Sequence, residues 1–184
     1  MNYYTLNKSK TLIFGWLCMV SFASAQTQIG SDLNGEAGGD ESGVSVSIDS
    51  DGDRIAIGAN LNDGTGTDAG HVRVYEYSGG SWSQLGADID GERAGDLFGV
   101  SVSIDSDGSH VAIGAEENDG RTLEEGATQV YNNVGHVRVY QYSGGSWSQV
   151  GKDIDGKTNG DHTGVSVSLD SDGSHVAIGS PDNG

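Results

Sequence analysis

Short runs in which apolar and small polar residues alternate dominate this chain, and each stops at a cluster of Asp, Ser and Gly. Residues 44–48 read VSVSI, an alternation of period two that belongs to a half-buried strand. DSDG follows at 49–52 as a tight turn, with glycine supplying a positive φ. The second run, residues 54–59 (RIAIGA), puts Ile55 and Ile57 on one side and Ala56 and Gly58 on the other. The third, residues 70–77 (GHVRVYEY), sets Val72 and Val74 opposite Arg73, Tyr75 and Tyr77. After SGGS at 78–81, a fourth run at residues 82–89 (WSQLGADI) closes the unit. Nothing between these runs repeats at helical spacing, so the expected class is all-β.

The unit is written more than twice. GVSVSIDSDG begins at Gly43 and again at Gly99, and it returns at Gly164 with Leu169 in place of isoleucine, spacings of 56 and 65 residues. HVRVY starts at His71 and His136, and SGGSWSQ at Ser78 and Ser143. The longer spacing comes from one connection, 12 residues at 59–70 against 21 at 115–135, as a surface loop tolerates. One face of the strands reads Val and Ile and the other Ser, Ala and Gly, so copies of the sheet can stack bulky on small. Four-stranded sheets repeated at this period and stacked radially predict a β-propeller-type array of antiparallel blades. A single sandwich is built from unlike strands and fits poorly. Residues 27–32 align with 83–88, the fourth strand of a unit. The expected content is therefore one leading strand and about two and a half blades, eleven strands in all. A ring usually needs at least four blades, so the array is expected to be incomplete. The chain is then a fragment of a longer protein completed by further blades, or an oligomer that associates through its open edges.

Composition narrows the classes. Glycine fills 31 of 184 positions and proline one, which argues against long helices. The formal charge of −18 leaves no cationic track for nucleic acid. At the start, Lys8 and Lys10 precede an apolar run at residues 11–22, and Ala23-Ser24-Ala25 follows. That is the pattern of a cleaved secretory signal peptide over residues 1–25, too short for a membrane span. The competing reading is a short N-terminal anchor. Trp16 and Leu17 argue against lipid attachment at Cys18, and the mature chain, residues 26–184, then has no cysteine. The protein is expected to be secreted or held at the cell surface, without disulfides.

At Phe98-Gly99, followed by a strand, an Asp-rich turn, a second strand and Gly114-Ala115, the sequence resembles the FG-GAP repeat, as in the integrin α-subunit head. The likeness runs from Thr27 onward and implies a secreted member of bacterial type. Its signature is loose elsewhere: Ser42-Gly43 and Thr163-Gly164 replace Phe-Gly, and Gly58-Ala59-Asn60 and Gly179-Ser180-Pro181 stand for Gly-Ala-Pro. The resemblance implies a seven-bladed propeller that binds proteins or glycans outside cells.

It also raises the question of calcium, since the family often carries D-x-D-x-D-G-x-x-D between the first two strands. Calcium needs six to eight oxygens. Asp105 with Asp107, and Asp170 with Asp172, offer two acids each, with Val111 and Val176 at the closing position. Asp49, Asp51 and Asp53 give three, with Ile55 closing. Asp88, Asp90 and Asp96, repeated as Asp153, Asp155 and Asp161, form a second acidic stretch. The expectation is turn chemistry, so no metal or cofactor is assigned, calcium being the one candidate. His71, His110, His136 and His175 recur with the unit and, with His162, are expected to be structural. No Ser-His-Asp order, H-E-x-x-H or G-x-S-x-G occurs, so no catalytic residue is assigned and the protein is expected not to be an enzyme. Trp82, Trp147, Tyr75, Tyr77, Tyr140 and Tyr142 could face a sugar, but strand-period aromatics more often pack. The expected function is protein or glycan binding, or adhesion, through loops, above all the acidic residues 116–133. The alternatives are the non-catalytic propeller part of a larger secreted enzyme and a calcium-stabilised spacer.

Overall fold

The computed structural model describes residues 27–119 and 132–184. The leader expected at residues 1–25 and most of the longer loop lie outside them. Blade 1 comprises β1 (Ser45–Ile48), β2 (Arg54–Ala59), β3 (His71–Ser78), β4 (Ser81–Gln84) and β5 (Ile89–Asp90). Blade 2 comprises β6 (Ser101–Ile104), β7 (His110–Ala115), β8 (His136–Ser143), β9 (Ser146–Gln149) and β10 (Ile154–Asp155). A third unit contributes β11 (Ser166–Leu169) and β12 (Val176–Gly179). All strand pairs are antiparallel, and the described residues contain no helix. Blade 1 runs β1-β2-β3-β4 with β5 also on β3, and blade 2 repeats this order. The fold is an all-β array of propeller-type blades.

Local chemistry explains the hairpins. Asp49 Oδ1 accepts hydrogen bonds from the backbone N–H of Gly52, Asp53 and Arg54 at 2.8–3.2 Å, which closes the first turn from inside. Asp105 and Asp170 accept in the same way from the His110 and His175 backbones, both at 3.0 Å.

Three expectations need correction. The fourth strand is not continuous over 82–89: β4 ends at Gln84 and β5 resumes at Ile89. The break falls at Gly86 (φ 80°), where a side chain would collide with the Trp147 indole of blade 2. Residues 27–32, read as a leading strand, form none, because among the described residues no strand pairs with them. They nevertheless copy the path of 83–88: Gly30 has φ 75°, and Gln28 Nε2 donates to Asp32 as Gln84 Nε2 does to Asp88. The described strands therefore number twelve rather than eleven.

The division into a Val/Ile face and a small face also changes. Register places Val72 beside Gly58 and Val74 beside Ala56, so the face with Ser45 and Ser47 is small near β1 and bulky at β3. Sheets fanned about an axis diverge outward, so the gap to be filled widens from the first strand to the third. Between blades 1 and 2 the core follows this wedge. Ala56, Val72, Val74 and Ile89 meet Phe98, Val102, Ile104, Val111 and Ile113. Where the sheets come closest, Gly58 abuts the Gly99 carbonyl and Gly114 the Gly164 carbonyl, positions with no room for a methyl. The inner serines are donors and acceptors rather than passive space. Ser45 Oγ donates to Gly99 O (2.7 Å) and Ser101 Oγ to Gly164 O (2.6 Å). Ser47 Oγ and Ser103 Oγ accept from Ile104 N (3.0 Å) and Leu169 N (2.9 Å).

Candidate functional site

Two polar clusters recur at equivalent places where a loop from the preceding unit meets the third strand. Alternation along β3 puts Arg73 on the face opposite Val72, where it reaches the loop after the preceding fourth strand. Arg73 Nε and Nη2 donate to the two oxygens of Asp88 at 2.9 and 2.7 Å, and Nη2 also pairs with Glu36. Arg138 does the same with Asp153, both bonds 2.8 Å, and with Glu92. This two-point fork is the geometry that makes arginine–carboxylate pairs strong. Burial works against the charged Arg138, yet its bonds to Asp153 and Glu92 raise its pKa. Arg73 likewise lowers the pKa of Asp88 and Arg138 holds Asp153 down at about 2. Asp90, by contrast, is pushed up by burial.

Beside each arginine lies a buried histidine. His71 Nδ1 stands 3.8 Å from Asp88, and His136, only 1% exposed, packs edge-on against Phe98 at 6.4 Å. Burial holds His136 below the ordinary 6.5, and its Nε2 has no hydrogen-bond partner among the described residues. The ligand atoms of Glu36, His71 and Asp88, and those of His136, Asp153 and Asp155, lie within 4.8 Å of one another. In both groups an arginine already neutralises the first aspartate, and both its oxygens are engaged.

The hairpin aspartates are likewise spoken for. Asp105 Oδ2 and Asp170 Oδ2 each lie 2.7 Å from the Nδ1 of His110 and His175. The backbone N–H and imidazole of His175 hold Asp170 down at about 2. Asp107 and Asp172 accept from the Ser109 and Ser174 backbones. Asp96 and Asp161 accept from backbone N–H groups of their own turns. A calcium loop needs oxygens turned toward a shared centre. In blade 2 and the third unit they turn toward amides and imidazoles, with Val111 and Val176 at the closing positions. In blade 1 Asp49 accepts from three amides, Asp51 from the Ser50 hydroxyl, and Asp53 lies beside Asp49, whose carboxylate raises its pKa, with Ile55 at the closing position. The two-acid hairpins of blade 2 and the third unit do not offer such a donor set.

The aromatic residues join units. Trp82 Nε1 donates to Ile29 O (3.0 Å) and Trp147 Nε1 to Leu85 O (2.7 Å), each indole lying over a glycine of the preceding segment. Tyr77 and Tyr142 pack against these tryptophans with tilted rings, centroids 5.1 Å apart, and Tyr140 meets Phe98 edge-on. His162 sits in a left-handed turn (φ 50°), as Leu97 does in blade 2. Ile48, Asp49 and Ser50 with their counterparts in blade 2 and the third unit line an open cleft of about 300 Å³ along the inner strands.

Arg73, Arg138, Glu36, Glu92 and the inner serines are functional contacts that the sequence pattern alone does not single out. The only hint was an arginine repeated inside the otherwise apolar motif HVRVY. These groups bind one unit to the next. Repeated four-stranded sheets, joined by serine bonds inside and by arginine–glutamate pairs and indoles outside, define a propeller-type repeat module. Residues 88–131 match the FG-GAP repeat family, so the chain carries that repeat. The matched segment holds Phe98-Gly99, the one Phe-Gly pair among the described residues, and Phe98 is fully buried. No curated protein matches the chain. FG-GAP repeats are in general non-catalytic propeller modules of extracellular or surface proteins. Among the described residues no helix is long and apolar enough to cross a membrane.

Proposed function

We infer that the protein is an exported, non-enzymatic module that binds an extracellular protein or glycan through the loops between its second and third strands. The observation that carries this reading is the FG-GAP match on an array whose clustered Asp and Arg side chains are paired with one another. Those loops differ in length between units and carry acids such as Asp63, Glu116 and Glu117, which favour neutral or cationic partner surfaces. Binding of the purified protein to glycan and extracellular-protein panels tests the reading. Glu116→Lys with Glu117→Lys should weaken capture at least tenfold; unchanged capture, or hydrolysis of the bound glycan, would overturn it. Residues 1–25 fused to a reporter should carry it out of the cell, and retention inside would remove export. The hairpin aspartates act as turn acceptors, so calorimetric titration with millimolar calcium should give no heat.

A further inference from the structure

We propose that the hairpin at residues 105–110 of blade 2 is clamped by the protein's own basic side chains, above all Arg54 of blade 1, where the FG-GAP resemblance implies calcium, and that this hairpin takes up no calcium. Each backbone carbonyl from Asp105 to Ser109 accepts a hydrogen bond from the protein. Asp105 O accepts from Gly108 N (3.3 Å) and Ser109 O from Tyr142 N (2.8 Å), both within blade 2. The three carbonyls between them are served from blade 1. Ser106 O accepts from Ser50 N (3.1 Å) and Ser50 Oγ (2.7 Å). Asp107 O and Gly108 O accept from one guanidinium nitrogen, Arg54 Nη1, at 3.2 and 3.3 Å.

The acids of the hairpin are engaged from within it. The Asp105 side chain is only 1% exposed; its Oδ1 accepts from His110 N (3.0 Å) and its Oδ2 lies 2.7 Å from His110 Nδ1. An ionised carboxylate accepts and cannot donate, so Nδ1 carries the proton. Asp107 Oδ1 accepts from Ser109 N (2.9 Å). Calcium needs six to eight oxygens turned toward one centre. Here a guanidinium and an imidazole meet those oxygens instead.

Glu76 aims the clamp. Arg54 Nε and Nη2 donate to Glu76 Oε1 at 3.1 and 2.9 Å, and the rigid fork of the guanidinium then turns Nη1 toward blade 2. Gly108 (φ 68°) makes room for it, since a Cβ there would lie 2.4 Å from Arg54 Cδ. At the next junction His110 lies against Gly173 as Arg54 lies against Gly108, but its Nδ1 is turned back to Asp105. The arginine clamp therefore marks the junction of blades 1 and 2. It sits at the opposite end of β2 from the loops assigned to ligand binding, so the two readings stand or fall separately.

Amide hydrogen exchange, read residue by residue by NMR on the purified protein, tests this in millimolar calcium and in chelator. In the wild type the Gly108, Ser109 and His110 amides should keep the same shifts and exchange rates in both. Arg54→Met should leave the β7–β8 ladder protected and make the Ser50, Gly108 and His110 amides exchange about tenfold faster, the loss expected for one hydrogen bond from a charged group. Arg54→Lys keeps a donor for the carbonyls and should restore most of that protection. Calcium-dependent shifts of the Gly108–His110 amides in the wild type would overturn the proposal. So would an Arg54→Met hairpin that exchanges as slowly as the wild type. Should Arg54→Met fail to fold, Arg54→Lys decides: a protected hairpin upholds the clamp, and a rapidly exchanging one overturns it.

Discussion

Val46 and Val102 occupy the same place in the same ten-residue sequence and the same strand position, yet Val46 is 60% exposed and Val102 only 9%. Ile48 and Ile104 differ in the same sense, at 57% and 7%. Nothing local separates them; blade 1 lies in front of the second pair and no described residue lies so in front of the first. In a stacked array, burial belongs to the junction rather than to the repeat, and stability is a sum of unit and nearest-neighbour contributions. The blades differ in chemistry where partners differ. Arg54 pairs with Glu76 across β2 and β3, and the matching register in blade 2 holds His110 opposite Gln141. Phe98 fills the corner where blade 1 has the exposed Ser42.

That contrast can be broken most severely at Phe98. Phe98→Ala should cost about 3–5 kcal/mol in urea unfolding, whereas Ser42→Ala should stay within about 0.5 kcal/mol. Ile104→Ala should cost about 2–4 kcal/mol and Ile48→Ala under about 1 kcal/mol, measured at a concentration where the chain is dispersed. Equal losses would mean that the two faces are equally covered. Gly114→Ala forces a methyl into the Gly164 carbonyl and should cost about 1–3 kcal/mol. Gly179→Ala meets only the hydroxyl of Ser166 and the neighbouring Val165 side chain, and should cost clearly less.

Smaller effects sharpen the picture. Ser101→Ala removes a buried bond to Gly164 and should cost about 1 kcal/mol, while Ser166→Ala should be silent in the dispersed chain. Acid should act on blade 2 in two steps. His136 has a lowered pKa, so its contribution is present above the unfolded value near 6.5 and fades as pH falls below it. His136→Gln should flatten that limb of the thermal-melt profile. Asp153, held at about 2, keeps its contribution above pH about 4 and loses it between there and about 2.

Much of this was legible in the chain itself. The alternation at 44–48 and 54–59, the DSDG turns and the recurrence of whole motifs specify strands and order, because period-two burial and turn chemistry are local properties. The fourth strand was misjudged because its break depends on Trp147, an indole 61 residues beyond Gly86 in the chain. The segment at 27–32 shows the converse: its sequence fits a strand, but a strand exists only where a neighbour pairs with it. The arginine forks were missed because Glu36 and Glu92 sit in loops whose contacts follow from how units dock.

From its sequence alone the protein is determined to be a succession of like antiparallel sheets, acidic and rich in glycine, since each feature follows from residues within one unit. Only the tertiary structure decided which of two identical valines is covered, which serines bind, and where the wedge between sheets changes from small to bulky. Those outcomes depend on the distance between sheets, and that distance is set by the fan of the array rather than by any single repeat.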